Sequence, residues 1–337
     1  MSTVQSPTRN PIHTLPSNAF AFVMATGIVG TAFTTAGLRP VGVVLAVIGA
    51  VGFVVLAVLL IARGITASDR FAADLRDPAR GFGFFTVVAA LGVLAALFAI
   101  LGVPWVATVA AIIAVPVWLL VTYGMLPLLV LSSDAGEPVT RAVDGSWMLW
   151  VVATQALAII FSTLGAGIVG IALWGAGVVL YLLIAGLLTA RLFGRRGSEA
   201  AVEPTAWVVM GAAAISALAA GRLTLMPELL AVRPYLSGTA LLLWGFGTWC
   251  IPFLVIAAVW KRFVKRTPLR YEAPLWAVVF PLGMYTVATQ ALARATGSQL
   301  LNTVGQVALW VSGVAWVVVA VLGLVALVRG PSRRASR

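Results

Sequence analysis

The heptapeptide VATQALA occurs twice in this chain, at 152–158 and 287–293, each time within a long apolar stretch. Each copy brings a threonine hydroxyl and a glutamine amide, that of Gln155 or Gln290, into an apolar setting. Such an amide can donate to a passing anion, or it can bond to a neighbouring inner helix, which is worth on the order of 1 kcal/mol. The pattern favours bonding between helices, and the threonines are expected to bond to their own helix backbone.

Other motifs that carry chemistry are sparse. His13 is the only histidine and Cys250 the only cysteine, so multi-histidine metal sites, an intrachain disulfide and a serine–histidine–aspartate triad are not expected. GAGIVG at 165–170 matches a dinucleotide-binding pattern, but no strand precedes it, and close helix packing explains it better. The only lysines, Lys261 and Lys265, belong to no phosphate-binding loop. We therefore predict no enzyme activity, no metal and no cofactor.

The composition indicates an integral membrane protein. Apolar residues make up 61% of the chain and charged residues 9%, and the mean hydropathy is +1.07. The net charge of +12 does not indicate a nucleic-acid partner, because the basic residues stand in short loops beside apolar runs. That placement is typical of membrane topology signals and of attraction to anionic lipid.

Ten apolar runs are long enough to cross a bilayer as helices, which predicts an all-α membrane domain at 17–329 between a tail at 1–16 and a basic tail at 330–337. The runs lie at about 17–36, 41–62, 81–101, 104–131, 145–164, 165–192, 204–220, 236–260, 274–293 and 301–328. Consecutive runs pair into five helical hairpins.

The loops predict the orientation. Those after the odd-numbered helices carry only four of the 22 basic residues, namely Arg39, Arg222, Arg233 and Arg294. The excess of basic residues on the opposite side predicts that both termini lie in the cytoplasm. The first run lacks a cleavage site and is expected to be retained, in a bacterial inner membrane.

The two members of each hairpin differ in composition. The odd helices are rich in small and polar residues, whereas the even helices are bulkier and more aliphatic. Small and polar groups suit close packing or a wet path, and bulky groups suit lipid. The odd helices are therefore expected to form an inner layer and the even helices an outer ring. VATQALA then recurs in two inner helices, in the half approaching the outer face, which favours parallel repeats around an axis.

Acidic residues precede four odd helices: Asp77, Asp144, Glu203 and Glu272. Capping of the helix start is the favoured interpretation, over an acidic ring that controls pore entry. No charged residue falls in the middle of any predicted span, which favours passive permeation over ion-coupled transport.

Several segments resemble one transport family over nearly the whole chain. They are FVMATGIVG, GFGFFTVVAALGVL, EPTAWVVMGAAAISALA and the long stretch from WGFGTWCIPF through YTVATQALA. The chain is similar to the tellurite-resistance/dicarboxylate transporter family, which includes plant slow anion channels and yeast malate and sulfite transporters. The resemblance implies five hairpins around a central pore, a homotrimer with one pore per protomer, and a phenylalanine of the ninth helix as the gate. Here that residue is Phe280; the alternative is a packed aromatic beside a kink at Pro281.

Helical geometry places Phe280, Met284, Val287, Ala291 and Arg294 on one stripe. Arg294 and Arg222 are expected as cations at the outer mouth, where they would attract anions, although both can also reach the membrane interface without such a role. The residues expected to line the pore are Thr26, Gly27, Phe85, Val152, Gln155, Met210, Gly211, Met284, Val287, Gln290 and Ala291.

The leading hypothesis is transport of small anions, either C4-dicarboxylates such as malate or inorganic anions, through a phenylalanine-gated pore. The alternatives are a sulfite- or tellurite-related exporter and a membrane scaffold or sensor without transport. The scaffold is less well supported because the polar segments are short tails and loops.

Overall fold

The computed structural model describes residues 15–77, 80–131, 143–192, 203–268 and 271–329, and within them it is helical without any strand. The predicted tails at 1–16 and 330–337 lie outside these residues, apart from 15 and 16. The helices are α1 (Ala21–Thr35), α2 (Arg39–Thr66), α3 (Ser68–Arg76), α4 (Phe85–Ile100), α5 (Trp105–Leu131), α6 (Met148–Thr163), α7 (Gly167–Leu192), α8 (Trp207–Leu223), α9 (Arg233–Val259), α10 (Trp276–Thr296) and α11 (Gln299–Arg329).

Nine helical segments in the described residues are long and apolar enough to cross a membrane. They coincide with nine of the ten predicted spans. The remaining span, at 17–36, corresponds to α1, which is apolar but has 15 residues. A helix of that length rises about 22 Å, less than the roughly 30 Å of a bilayer core. The protein is thus a multi-pass membrane protein with an all-helical body.

Five helices form a closed inner ring. α1 packs on α4, α4 on α6, α6 on α8, α8 on α10, and α10 returns to α1. Each inner helix also packs against the helix that follows it across a short turn on the outside of the ring, in the pairs α1–α2, α4–α5, α6–α7, α8–α9 and α10–α11. In the four inner segments long enough to span, 72–89% of the most apolar stretch is buried, against 17–28% in the outer helices. This difference in burial agrees with the predicted division into inner and outer helices.

The inner helices approach one another closely where one of them has a glycine. A Cβ on Gly92 of α4 would lie 2.6 Å from Ala156 Cβ of α6, and one on Gly211 of α8 would lie 2.9 Å from Pro281 Cγ of α10. Gly27 and Gly283 similarly leave no room for a side chain at the α1–α4 and α10–α1 contacts. Small residues permit this approach, which maximises van der Waals contact where the bilayer offers no hydrophobic drive for association.

Indole hydrogen bonds tie four outer helices to the inner helix of the next hairpin. Nε1 of Trp118 donates to Thr154 Oγ1 (3.0 Å), that of Trp244 to Thr289 Oγ1 (2.8 Å) and that of Trp316 to Thr26 Oγ1 (3.0 Å). Nε1 of Trp174 donates to the Ser216 carbonyl at 3.0 Å. The bonded groups belong to α6, α10, α1 and α8 in turn, so these contacts bridge successive hairpins.

The threonines of both VATQALA copies accept such an indole hydrogen bond, but the two copies lie at different positions along their helices. Thr154 and Thr289 also donate to their own backbone, at Trp150 O and Tyr285 O, as the sequence predicted. Thr154 is the seventh residue of α6, however, and Thr289 is the fourteenth of α10. Measured from the first residue of its helix, the second copy therefore lies about 10 Å farther along than the first copy does. Only the second lies in the outer half of its helix, contrary to the prediction for both.

The acidic residues before the inner helices have different roles. Asp144 Oδ1 accepts from Ser146 N at 2.8 Å and from Ser146 Oγ, which confirms capping at this position. Glu203 and Glu272 make no capping hydrogen bond, and Asp77 pairs with Arg80 at 3.4 Å between Oδ2 and Nε. Proline at the first turn, Pro204 or Pro274, starts the helices after these two glutamates.

Gly92→Ala should destabilise the protein by about 1–3 kcal/mol, because the new methyl group overlaps Ala156 and the α4–α6 contact must open. Thermal unfolding in detergent measures the effect. Gly175→Ala in the outer helix α7 is the matched control, since no atom lies within 4 Å of the added carbon. It should leave stability unchanged or raise it by up to about 1 kcal/mol. Equal effects of the two substitutions would contradict the close packing of the ring.

Candidate functional site

A cavity of about 690 Å³ opens at the end of the ring where the inner helices begin. Each inner helix, or the 3₁₀ turn leading into it, contributes two residues three positions apart, which is the spacing of one helical face. These pairs are Ala21 and Met24, Gly83 and Thr86, Ser146 and Leu149, Thr205 and Val208, and Ala277 and Phe280. The cavity therefore lies on the axis of the ring.

Phe280 is the lining residue farthest along α10, and its side chain is only 1% exposed. Met284 and Val287, which follow it on the predicted stripe, are buried and do not line the cavity. Pro281 comes next in the chain and cannot donate the hydrogen bond that an α-helix expects at this point. The cavity thus reaches an aromatic side chain next to a local weakness in the helix.

The rim of the cavity carries a cluster of charges. Arg63 at the end of α2 is 3% exposed, pairs with Asp74 of α3, and donates to the Leu15 carbonyl at 2.9 Å. Arg80 Nη1 donates to the other oxygen of Asp74 at 3.0 Å. Arg70 and Asp144 complete the charged lining, giving three arginines and two aspartates.

This cluster was not predicted, because the basic residues on this side were interpreted as topology signals and as a source of attraction to anionic lipid. A usable signal was present in Ser68–Arg76, a short polar helix between two apolar ones. Its pattern indicates an amphipathic element lying along the membrane surface. Asp74 lies on its buried face, where it meets the two arginines.

Burial perturbs the two carboxyl groups that precede α6 and α8. The pKa of Asp144 is raised by burial, against the opposing effects of its bonds from Ser146 and the charge of Arg191. The pKa of Glu203 is raised by burial first and then by repulsion from Asp144. Both groups therefore bind a proton at a higher pH than an ordinary carboxyl group does.

The other residues predicted to line the pore do not line this cavity. Gly27 packs on Val93, Gly211 packs on Pro281, and Phe85 stacks on Trp150 with ring centroids 6.2 Å apart. It is Thr86, the residue after Phe85, that faces the cavity. Val152, Met210 and Thr26 are completely buried, and Ala291 is half-buried. The structure places these side chains between helices, because an inner helix presents only one narrow face to the axis.

The two glutamines contact different neighbours. Gln155 Nε2 donates to the Trp174 carbonyl at 3.2 Å, in the outer helix of its own hairpin. Gln290 Nε2 donates to the Ala32 carbonyl of the neighbouring inner helix at 3.3 Å. The favoured interpretation, a bond to a neighbouring inner helix, therefore agrees with the structure for Gln290, whereas Gln155 bonds to an outer helix instead.

The predicted outer cations lie at the opposite end of the ring. Arg222 Nη1 donates to Thr163 Oγ1 of α6 at 3.3 Å, and the side chain of Arg294 is exposed. Within the described part of the chain, the ion pairs involve Arg63 and Arg80 but neither of these two arginines. This end of the ring therefore carries positive charge without a paired carboxylate.

Comparison with known proteins identifies a family whose profile spans the ring and relatives that match just under half of the chain. The sequence profile of the voltage-dependent anion channel family matches residues 14–324. A membrane protein of Mycobacterium tuberculosis, described as uncharacterised, is 40% identical over 162 residues, which cover 47% of this chain and 82% of the relative. An uncharacterised transporter of Methanocaldococcus jannaschii is 26% identical over 145 residues, which cover 43% of this chain and 42% of the relative.

Asp74→Ala should destabilise the protein by about 3–5 kcal/mol, because it leaves the buried guanidinium of Arg63 without its carboxylate. Chemical or thermal unfolding in detergent measures the loss. Asp69→Ala on the exposed face of the same helix is the control and should change stability by no more than about 0.5 kcal/mol. A loss at position 74 as small as that at position 69 would show that the pair does not hold α3 to the rim.

Proposed function

This chain belongs to the voltage-dependent anion channel family, and on that premise we propose that it passes small anions along the axis of the five-helix ring. The observation that carries the proposal is the axial cavity, to which every inner helix contributes one face and which ends against Phe280. A volume of about 690 Å³ is ample for an inorganic anion or a C4-dicarboxylate such as malate.

The electrostatics of the cavity favour anions. α1, α4, α6, α8 and α10 all begin at this end, so their positive dipole ends surround the entrance. Three arginines line the same rim against two aspartates, so the charged lining is positive on balance. Further along the inner helices no charged side chain occurs before Arg222 and Arg294 near the outer end. An anion would therefore meet positive potential at both ends and an uncharged path between them.

Phe280 is the proposed gate. Its ring is buried at the deep end of the cavity, and the next two residues on the stripe, Met284 and Val287, are packed. Pro281 removes one backbone hydrogen bond of α10, which makes local bending of the helix less costly at this point. A small rotation of α10, or of the phenylalanine side chain, would then open the path.

The arrangement in the membrane is part of the same proposal. We take α1 as a tenth crossing, completed by the residues at 17–20 that lead into it, so that five hairpins span a bacterial inner membrane. The end with the cavity carries most of the basic residues and is therefore cytoplasmic, with both termini. A homotrimer, as the family resemblance implies, would use part of the apolar outer surface, and lipid would cover the rest.

Phe280→Ala should raise anion flux into proteoliposomes by roughly tenfold or more, equivalent to lowering the barrier by about 1.4 kcal/mol. Malate, sulfite, nitrate and chloride are compared for wild type and variant. Phe85→Ala is the matched control, because Phe85 is equally buried but does not line the cavity. If the Phe280 variant conducts no anion better than wild type does, or if both variants conduct equally well, the gate is wrongly assigned.

Flux of chloride should rise as the pH on the cavity side falls toward the raised pKa of Asp144, because protonation removes a negative charge from the rim. Asp144→Asn should reproduce the acid-side flux at neutral pH and reduce the pH response, with a gain of up to about tenfold. Glu272→Gln is the control, since Glu272 does not line this cavity. A pH response unchanged in the Asp144 variant would assign it to another group.

A further inference from the structure

A second pocket, of about 200 Å³, lies beside the ring at the end where the inner helices begin. It is formed by the end of α9 and by the segments that lead into α8 and α10. It shares no residue with the axial cavity, so it does not belong to the proposed anion path. Pockets that enclose a whole small molecule are usually roughly 300–1,000 Å³, so this one suits part of a larger molecule.

The polarity of this interfacial pocket changes with depth. On one wall, Leu254 and Ala257 of α9 line the deep part, and Lys261 lies about 10 Å from Leu254, past the end of the helix. On the facing wall, Glu272 precedes α10 and Val278 lies in its first turn. Charge at the mouth and apolar side chains below it follow the gradient from head group to acyl chain in a bilayer. Only 22% of the most apolar stretch of α9 is buried, so lipid can reach the pocket from that side.

Two cations and two carboxylates line the pocket without pairing. They are Lys261, Arg262, Glu203 and Glu272. None of the four takes part in an ion pair within the described ranges of the chain. Arg262 Nη1 donates to the Thr267 carbonyl at 2.8 Å, which uses one of the five N–H donors of the guanidinium. Opposite charges therefore share this space while they remain available to a ligand.

The backbone at the end of α9 positions the two cations. Residues Trp260–Val264 form a π-helical turn, a rare conformation that is frequent at functional sites. Lys261 and Arg262 both lie in this turn and line the pocket. The only other lysine of the chain, Lys265, lies over the ring of Trp260, with Nζ 5.1 Å from the centroid, and does not line the pocket. The chain thus contains one lysine at the pocket and one matched lysine outside it.

A molecule with both a phosphate and a primary ammonium matches these charges. Lysine and arginine side chains donate to phosphate oxygens, and carboxylates accept from an ammonium group. A choline head group carries the same charges but has no N–H to donate. A glycerol head group has no positive charge and leaves both carboxylates beside a phosphate.

We propose that the interfacial pocket binds a phospholipid with an ethanolamine head group, from the leaflet on the side of the axial cavity. The phosphate lies on Lys261 and Arg262, the ammonium lies on Glu203 and Glu272, and the start of an acyl chain covers the apolar wall. The bound lipid then bridges α9 to the segments before α8 and α10.

The test measures lipid binding to the purified full-length protein by native mass spectrometry. Three phospholipids with identical acyl chains and with ethanolamine, choline or glycerol head groups are compared. The ethanolamine lipid should bind at least about tenfold more tightly than the other two, as the loss of one charge-assisted hydrogen bond implies. O-phosphoethanolamine, the head group without acyl chains, should bind at least about tenfold more weakly than the lipid, because it leaves the apolar wall uncovered.

Two sets of variants locate the site. Glu203→Gln combined with Glu272→Gln should abolish the preference for ethanolamine over choline. Lys261→Gln should weaken binding of the ethanolamine lipid by about tenfold, whereas Lys265→Gln, the matched control, should leave it unchanged.

Equal binding of the three lipids by the wild type would overturn the proposal. A preference that survives in the double variant, or equal effects of the two lysine variants, would do the same. Binding of O-phosphoethanolamine as tight as that of the lipid would rule out a lipid site. If the double variant does not fold, the wild-type preference and the difference between the lysine variants decide the matter. Binding is measured without flux, so the result is independent of whether the axial cavity conducts.

Discussion

Close approach of helix backbones in an environment without water is the constraint on which this structure depends. Lipid tails are as apolar as leucine side chains, so helices in a bilayer gain little from hiding apolar surface against each other. Contact has to come from tight packing and from hydrogen bonds between helices. The glycines at the inner contacts supply the first, and the tryptophan bonds to Thr26, Thr154 and Thr289 supply the second.

The closed ring has a direct chemical consequence. Because each inner helix shares its flanks with two neighbours and its back with an outer helix, only one narrow face remains for the axis. Small apolar residues, a few hydroxyl groups and Phe280 occupy that face. Charge is confined to the two ends, at the rim arginines and at Arg222 and Arg294. Parallel inner helices add their positive dipole ends at the cavity, which supports the proposed passage of negative solutes.

The repeated heptapeptide shows how one sequence can serve two environments. In both copies the threonine accepts from a tryptophan of the preceding hairpin and donates to its own backbone. The neighbours of the following glutamine then depend on how far along its helix the copy lies. In α6 it reaches Trp174 and stays within the packing, whereas in α10 it reaches Ala32 and lies beside a polar pocket between α1, α10 and α11.

The sequence by itself determined the membrane class, nine of the spans and the division into inner and outer helices, because these depend on composition and on the length of apolar runs. It also identified the family through motifs spread along the chain. It could not determine which inner residues face the axis, since a helix that is small and apolar all round has no distinct polar face. Phe280 lies at the cavity. Thr26, Gly27 and Gln155 were also predicted to line the pore, but they lie in contacts between helices. The charged rim was likewise decided only by the fold, which brings Arg63, Asp74 and Arg80 together from separate elements.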